Sequence, residues 1–311
     1  MAVCDVCFHH CDLKEGQFGL CMARRCLEDR VVCDNYGRIT GFALDPIEKK
    51  PLYHFYPGSR ILSIGSYGCN LRCPFCQNHT ISYDLASVYE REQAVNSGIE
   101  KSSDRQTNSI SPDRLISAAK EHSTFVSPVR LAELALSYVK EGNIGLAFTY
   151  NEPLIGYEYV LDTARLVKQA GLHTVLVTNG TAELSIIEQL LPVTDAMNID
   201  LKGFTDRFYD KLIGGSKRMV MDTIEAAAGR CHLEVTTLII PGENDSVDEI
   251  TELAAYLAKI GRKVGVDIPL HLTRFFPRFR MKDHDATDIG HLFTLVDAAK
   301  EHLRYVHAGN V

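Results

Sequence analysis

Six short apolar runs, separated by stretches with helical spacing, limit what this 311-residue chain can fold into. The runs are 61–65, 145–149, 173–177, 196–200, 233–240 and 268–272. Each is nearly continuous in aliphatic and β-branched residues, the mark of a strand buried on both faces of a parallel sheet. Helical patterns over 154–169, 182–191 and 247–260 lie between them and stop at Gly171, Pro192 and Gly261. Strand–helix alternation means βαβ units with right-handed crossovers. The expected fold is therefore α/β: a partial (β/α)6 TIM-like barrel over 59–311, preceded by a small Cys-rich subdomain over 1–58.

The stretch 85–126 breaks this rhythm. From Val95 to Ile110 it is rich in Ser, Asn, Asp and Lys, which reads as a flexible insertion. Ser111-Pro112-Asp113 opens a short helix to about Glu121, and Ser127-Pro128-Val129-Arg130 opens another to about Glu141. Each has proline in its first turn. A surface excursion fits this composition somewhat better than an active-site lid.

The first apolar run leads into Gly65-Ser66-Tyr67-Gly68-Cys69-Asn70-Leu71-Arg72-Cys73-Pro74-Phe75-Cys76-Gln77-Asn78. A cubane 4Fe-4S cluster normally takes four thiolates. Three thiolates at C-x3-C-x2-C spacing leave one iron without a protein ligand, and an open coordination position marks a metal site that does chemistry. The loop also follows a strand of a parallel sheet, where active sites gather at the carboxyl ends of strands. A structural zinc ion asks instead for four ligands, usually as two C-x2-C pairs, which this loop lacks.

A second group lies at the start of the chain. Cys4, Cys7, Cys11 and Cys21 form C-x2-C-x3-C-x9-C, with His9 and His10 inside and Cys26 and Cys33 beyond. Four soft ligands this close together indicate a second metal site, zinc or an iron–sulfur cluster, with zinc marginally the better match. Few apolar residues surround them, so the segment needs such a staple to fold. Unliganded thiols are the plain alternative. Cys231, just before a strand, reads as a buried, inert thiol.

Composition narrows the setting. Ten cysteines occur in a chain that opens Met1-Ala2-Val3-Cys4-Asp5-Val6-Cys7, without a charged and then apolar leader. A cytoplasmic location follows, where clustered cysteines serve metals or catalysis rather than disulfides. No apolar stretch approaches the ~20 residues that span a bilayer. A net charge of −7 and pI near 5.9 argue against a broad nucleic-acid or anionic-membrane surface.

The cysteine loop, with Phe75 just before its last cysteine, resembles the signature of the radical S-adenosylmethionine (radical SAM) superfamily. The likeness extends to 45–55, to Thr149-Tyr150-Asn151-Glu152-Pro153, to Asn198-Ile199-Asp200-Leu201-Lys202, to 240–245, to His271-Leu272-Thr273-Arg274-Phe275 and to 305–311. It includes Gly16-Gln17-Phe18-Gly19-Leu20-Cys21 and Arg24 in the Cys-rich segment. In family order, these segments resemble the branch of pyruvate formate-lyase activating enzymes, and most of all the AmmeMemoRadiSam system radical SAM enzymes. The resemblance implies a 4Fe-4S cluster on Cys69, Cys73 and Cys76 whose open iron chelates S-adenosyl-L-methionine. It also implies reductive cleavage to a 5′-deoxyadenosyl radical that takes hydrogen from a substrate.

Each later strand ends in polar residues, as a site at one barrel face demands. Asn151 and Glu152 resemble the place where activating enzymes hold the SAM amino group, a carboxylate facing an ammonium. Tyr150-Asn151 stands where the usual glycine pair would be. The same residues also read as the start of a helix, Asn151 capping and Glu152 complementing the dipole. Thr178 and Asn179 resemble a cofactor-binding turn, although Val177 replaces the acidic residue that binds a cation in some relatives, so that cation site is not implied. Asn179-Gly180 equally reads as a simple turn. Asp200 and Lys202 alternate onto one face of their strand; Lys202 could meet the SAM carboxylate, or the two could pair with each other. His271 resembles a position near the SAM ribose, and Arg274 and Arg278 could meet an anion or face solvent.

The expected activity is therefore that of an iron–sulfur oxidoreductase of glycyl-radical-activase type. Its substrate is unidentified, a glycyl residue of a partner protein being one candidate and a small molecule or RNA others. An electron donor resembling flavodoxin or ferredoxin is implied as a partner. The competing class is a non-catalytic metal-binding module that docks a partner through Cys4 to Cys33.

Overall fold

The computed structural model describes residues 1–82 and 121–311. The helix expected from Ser111, and nearly all of the stretch 85–126, lie outside the described residues.

An eight-stranded sheet carries the fold, its strands side by side in chain order. We number them β1 (Gly41–Pro46), β2 (Arg60–Gly65), β3 (Asn143–Phe148), β4 (His173–Thr178), β5 (Ala196–Asp200), β6 (His232–Ile239), β7 (Leu270–Arg274) and β8 (Val306–Gly309). β1 pairs antiparallel with β2; every later pair is parallel. The six expected strands are β2 to β7, within a few residues at each end. The last starts at Leu270 rather than residue 268, because Pro269 has no N–H for the ladder. The edge strands β1 and β8 were not legible: β1 is a six-residue edge with half of its face wet, and β8 has four residues ending in glycine.

Helices α1 (Pro128–Ser137), α2 (Tyr157–Gln169), α3 (Leu184–Leu190), α4 (Lys217–Ala227), α5 (Val247–Val264) and α6 (Ile289–Lys300) follow β2 to β7 in turn, giving six β/α units and a closing strand. Ser127 caps α1 as expected, its side chain accepting from Arg130 N–H. The pattern over 154–169 divides into a 3₁₀ turn, Pro153–Gly156, and α2. Sequence periodicity missed α4 and α6, although Ser216 and Asp288 cap both with side-chain acceptors. No described helix is long and apolar enough to cross a membrane.

One small apolar group packs Ile47, Leu52 and Phe55, from the segment after β1, against Ile61, Ala147, Val175 and Ala196 of four neighbouring strands. The larger core lies between the sheet and its helices. The Cys-rich segment folds as short hairpins, Ala2–Val3 with Asp12–Leu13 and Arg24–Leu27 with Arg30–Cys33. It is tied to α2 by the buried Arg24, whose guanidinium grips Glu158 at 2.8 and 2.9 Å and donates to the Ile155 carbonyl at 3.1 Å. A two-pronged pair with one partner buried is the strong form of such a contact.

Candidate active site

β2 ends at Gly65, and the cysteine loop begins. Gly68 has φ +92, and a Cβ there would lie 2.5 Å from the Cys21 carbonyl, so only glycine fits where the loop crosses the Cys-rich segment. Cys69 N–H donates to that same carbonyl at 3.2 Å. Asn151, just past β3, braces the loop from the other side. Its carbonyl oxygen accepts Ser66 N–H at 2.9 Å, and its amide donates to the Gly68 carbonyl at 3.1 Å. Tyr150 sits at φ +71, a left-handed backbone that a tyrosine rarely adopts. Its carbonyl accepts from Asn78, the residue that closes the loop.

Cys69, Cys73 and Cys76 line one cavity of about 590 Å³. Phe75, Asn151, Glu152, Thr178, Asn179, Asp200, Lys202 and His271 line it too. These positions thus face a single space at the carboxyl end of the sheet, which is where a parallel barrel builds its sites. Arg274 and Arg278 do not line it, and Arg274 donates to the Thr287 carbonyl at 2.8 Å instead.

The donor set bears on which metal group the loop would hold. The sulfur of Cys69 accepts Leu71 N–H at 3.4 Å and the Asn179 amide at 3.8 Å, and the Cys76 thiol lies 3.8 Å from the Ser82 hydroxyl. Among the described residues one trio of ligating atoms lies within 4.8 Å of one another, Glu15, Cys26 and Asp29. There Glu15 already accepts the N–H groups of the Glu28–Asp29 turn. The three loop sulfurs are spread more widely. Sulfurs on one zinc ion would stand roughly 3.8 Å apart, given 2.3 Å bonds at tetrahedral angles. Thiolates on separate irons of a cubane are farther apart. Three thiolates facing one cavity, with no fourth from the loop, are the donor set that would hold a cluster with one iron open. Burial pushes the Cys73 thiol up to about 12, against the pull of Lys202. Cys69 stands well above the ordinary thiol range through burial and the nearness of Glu152. A bound metal group supplies the positive charge that thiolates in such surroundings require.

Glu152 is buried and bonded three times. It accepts Thr178 Oγ1–H at 2.6 Å, Asn179 N–H at 2.7 Å and Leu154 N–H at 2.9 Å. The cap of the following turn is thus Glu152 and not Asn151, whose amide is spent on the cysteine loop, and Glu152 lines the cavity as well. Burial outweighs these neutral donors and raises its carboxyl to about 7. Asn179 bridges sites: its amide reaches Asn70 Oδ1 at 3.0 Å as well as Cys69. Gly180 is left-handed at φ +69, so the Asn-Gly pair is a turn in addition. Asp200 and Lys202 pair at 2.8 Å, side by side on the cavity wall as their spacing implied. Phe75 is buried and packs against Phe208 at 6.3 Å between ring centres.

His271 is buried with its Nε2 2.6 Å from Glu234. Sequence reading overlooked Glu234, yet a lone charge within Leu233-Glu234-Val235-Thr236-Thr237 was a signal, since a buried carboxylate is costly without partners. It likewise overlooked Asp45, Lys50 and Tyr150 as a unit. Asp45 accepts from Lys50 at 2.8 Å and from the Tyr150 hydroxyl at 2.8 Å, fixing the corner that leads to Glu152.

In the Cys-rich segment Cys4, Cys7 and Cys21 are buried and Cys11 is half-buried. His9 bonds the Asn70 carbonyl at 2.9 Å and His10 faces Glu183 at 3.3 Å, so both rings have partners other than those sulfurs. Cys33 donates to Asn35, and Cys26 lies beside Glu15. Cys231 is half-buried, and burial pushes its thiol up to about 12.

The model of the Radical SAM superfamily matches residues 63–256. An uncharacterized protein of Methanocaldococcus jannaschii is 34% identical over 99% of this chain and 81% of its own length. The pyruvate formate-lyase 1-activating enzyme of Escherichia coli is 28% identical over 41% of the chain, which spans about half, 53%, of that enzyme. Among solved structures, the FeFe-hydrogenase maturase HydG superposes with a TM-score of 0.51 at 11% identity, over 79% of this chain and 50% of that one. That likeness is one of fold. Matched across most of its strands by the family model and along nearly its whole length by a homologue, the chain belongs to the radical SAM superfamily.

Proposed function

We propose that the cavity binds a 4Fe-4S cluster on Cys69, Cys73 and Cys76 together with S-adenosylmethionine, and that the chain reductively cleaves this cosubstrate to take hydrogen from a substrate. The observation that carries the reading is the single cavity shared by the three sulfurs, Glu152, the Asp200–Lys202 pair and His271. When bound, the cluster supplies the electron and the sulfonium cosubstrate the radical.

The chain's own groups supply position and charge. A carboxylate has about four lone-pair sites. Three are occupied at Glu152, which leaves one on Oε2 for an ammonium donor. A cation there also offsets the burial that raises its carboxyl to about 7. Lys202 stays protonated beside Asp200 and is the group to meet a ligand carboxylate. Asn151 serves by holding the loop rather than by offering its amide, since both ends of that amide are bonded to Ser66 and Gly68. Apolar walls from Leu71 and Phe75 limit water at the loop.

For the substrate, a glycyl position in a partner protein is the class carried forward from the resemblance to activating enzymes, with a flavodoxin- or ferredoxin-like electron donor. For Cys4, Cys7, Cys11 and Cys21 the reading is a second metal group. Either zinc or an iron–sulfur cluster suits four such soft ligands.

Anaerobic reconstitution followed by SAM titration tests the central reading. The reduced cluster's EPR signal should change on SAM addition, and 5′-deoxyadenosine should form under reduction. Cys73→Ala should abolish that product. Turnover retained in this variant would refute the ligand assignment, and an EPR signal indifferent to SAM would favour the non-catalytic module. Iron and sulfide counts for the Cys4/Cys7 double substitution decide the second site.

A further inference from the structure

Beneath the cavity, the barrel floor holds a buried carboxylate that the proposed reaction does not use. Glu234 lies near the start of β6 with no exposure to solvent. Four donors surround it. Oε2 receives Tyr53 N–H at 3.1 Å and lies 2.6 Å from His271 Nε2; Oε1 receives His54 N–H at 2.8 Å and lies 2.8 Å from His232 Nε2. All of its lone-pair sites are thereby taken, so it has none to offer a ligand. It reaches the cavity through two neighbours that line it: Tyr53, by the backbone N–H, and His271, by the side chain, the one of its two histidines that faces that space.

An ionised carboxylate only accepts, so the nitrogen 2.6 Å away must carry a proton. The ring has little freedom to turn. Its face stacks on His307 at 5.2 Å, and Tyr53 meets it edge-on at 4.7 Å. Its other nitrogen, Nδ1, makes no hydrogen bond among the described residues. His307 is itself held by His54, Nε2 to Nε2 at 2.8 Å.

We infer that Glu234 is a positioning residue that locks His271 in its Nε2–H form, so that Nδ1 is presented as a fixed acceptor for an O–H or N–H donor of the cavity's occupant. The pattern is that of a functional histidine oriented by a carboxylate. The inference rests on the proposed function only in taking the cavity as the ligand site. The tautomer itself is a property of the empty protein.

The test uses the full chain without cluster, labelled with ¹⁵N-histidine, and long-range proton–nitrogen correlation spectra at neutral pH. His271, assigned by its loss in His271→Gln, should show a protonated Nε2 and a bare Nδ1. A major Nδ1–H form would overturn the inference whatever the cavity binds. Next, wild type, Glu234→Gln and His232→Gln are reconstituted and titrated with SAM. Glu234→Gln should weaken binding about tenfold, the size typical of losing an outer-sphere orienting group. His232→Gln should leave it within about twofold. Equal losses in both would mean that Glu234 serves floor stability alone. Should Glu234→Gln fail to fold, the wild-type tautomer still decides. Failure of SAM to bind wild type at all would count against the proposed function and leave the tautomer result standing.

Discussion

Two glutamates, equally hidden, sit in opposite electrostatic states. Glu152 on the cavity wall is 3% exposed and Glu234 on the barrel floor 0%. Burial penalises the charged form of both, yet the carboxyl of Glu152 stands near 7 and that of Glu234 near 2. The difference lies in partners. Glu152 has three neutral donors and the negative Asp200 in its surroundings. Glu234 has two histidines and two backbone N–H groups, enough to reverse the cost of burial. The floor is finished structure. The wall keeps one acceptor position open on Oε2, the position that the proposed function gives to an ammonium donor.

The comparison can be broken in several ways. The largest effect should come from Glu234→Ala, which strips the partner from two histidines and two backbone donors. A destabilisation of about 3–5 kcal/mol is expected in urea melts, the usual cost of breaking a buried charged network. A loss under about 1 kcal/mol would show that the floor network contributes little to the fold.

Next comes the wall. Glu152→Gln should weaken SAM binding by about 100-fold, some 2.7 kcal/mol, because a desolvated ammonium loses its countercharge. Binding unchanged within about threefold would remove Glu152 from the site.

The pH dependence sharpens the contrast. For Glu152 the folded carboxyl titrates near 7, above its ordinary 4.5. Its contribution to stability is therefore full below 4.5 and lost as pH rises through about 7. Glu234 behaves in the reverse sense: its contribution is full above 4.5 and lost as pH falls through about 2. The metal-free chain should thus lose melting temperature from pH 5 to pH 8, and Glu152→Gln should flatten that slope. A wild-type slope unchanged in the variant would show that another group sets it.

The smallest effect belongs to His307. Burial, with His271 and His54 nearby, holds its imidazole below the ordinary 6.5. A base held down in this way contributes fully above 6.5, and the contribution is lost as pH falls through its lowered folded value. Because this opposes the Glu152 trend, His307→Asn should deepen the fall of melting temperature between pH 5.5 and pH 7, by a degree or so in a thermal scan.

Most of the sheet was legible because strands β2 to β7 are buried on both faces and so read as near-continuous apolar runs. Edge strands β1 and β8 lack that signal, being short and half wet. Helices α4 and α6 were missed although their caps, Ser216 and Asp288, stood in plain view; α4 carries Lys, Arg, Asp and Glu over much of its surface, which dilutes the periodic stripe. At the site, Cys69, Cys73, Cys76 and Glu152 were readable from spacing or resemblance. Glu234, Asp45 and Lys50 were not, since nothing along the chain says that Tyr53 and His54 come back beneath β6.

Sequence alone determined the chemistry available: three sulfurs at a spacing that suits a cubane with an open corner, and polar residues at the ends of six apolar strands. Those are local facts, set by spacing within a loop and by the two-residue period of a strand. Tertiary structure alone decided the charge states. Whether a glutamate is an open acceptor near neutrality or a closed anion depends on which donors, from residues distant in the chain, reach its oxygens once water is gone. Glu152 meets Thr178 and Asn179 and keeps a place free; Glu234 meets Tyr53, His54, His232 and His271 and keeps none.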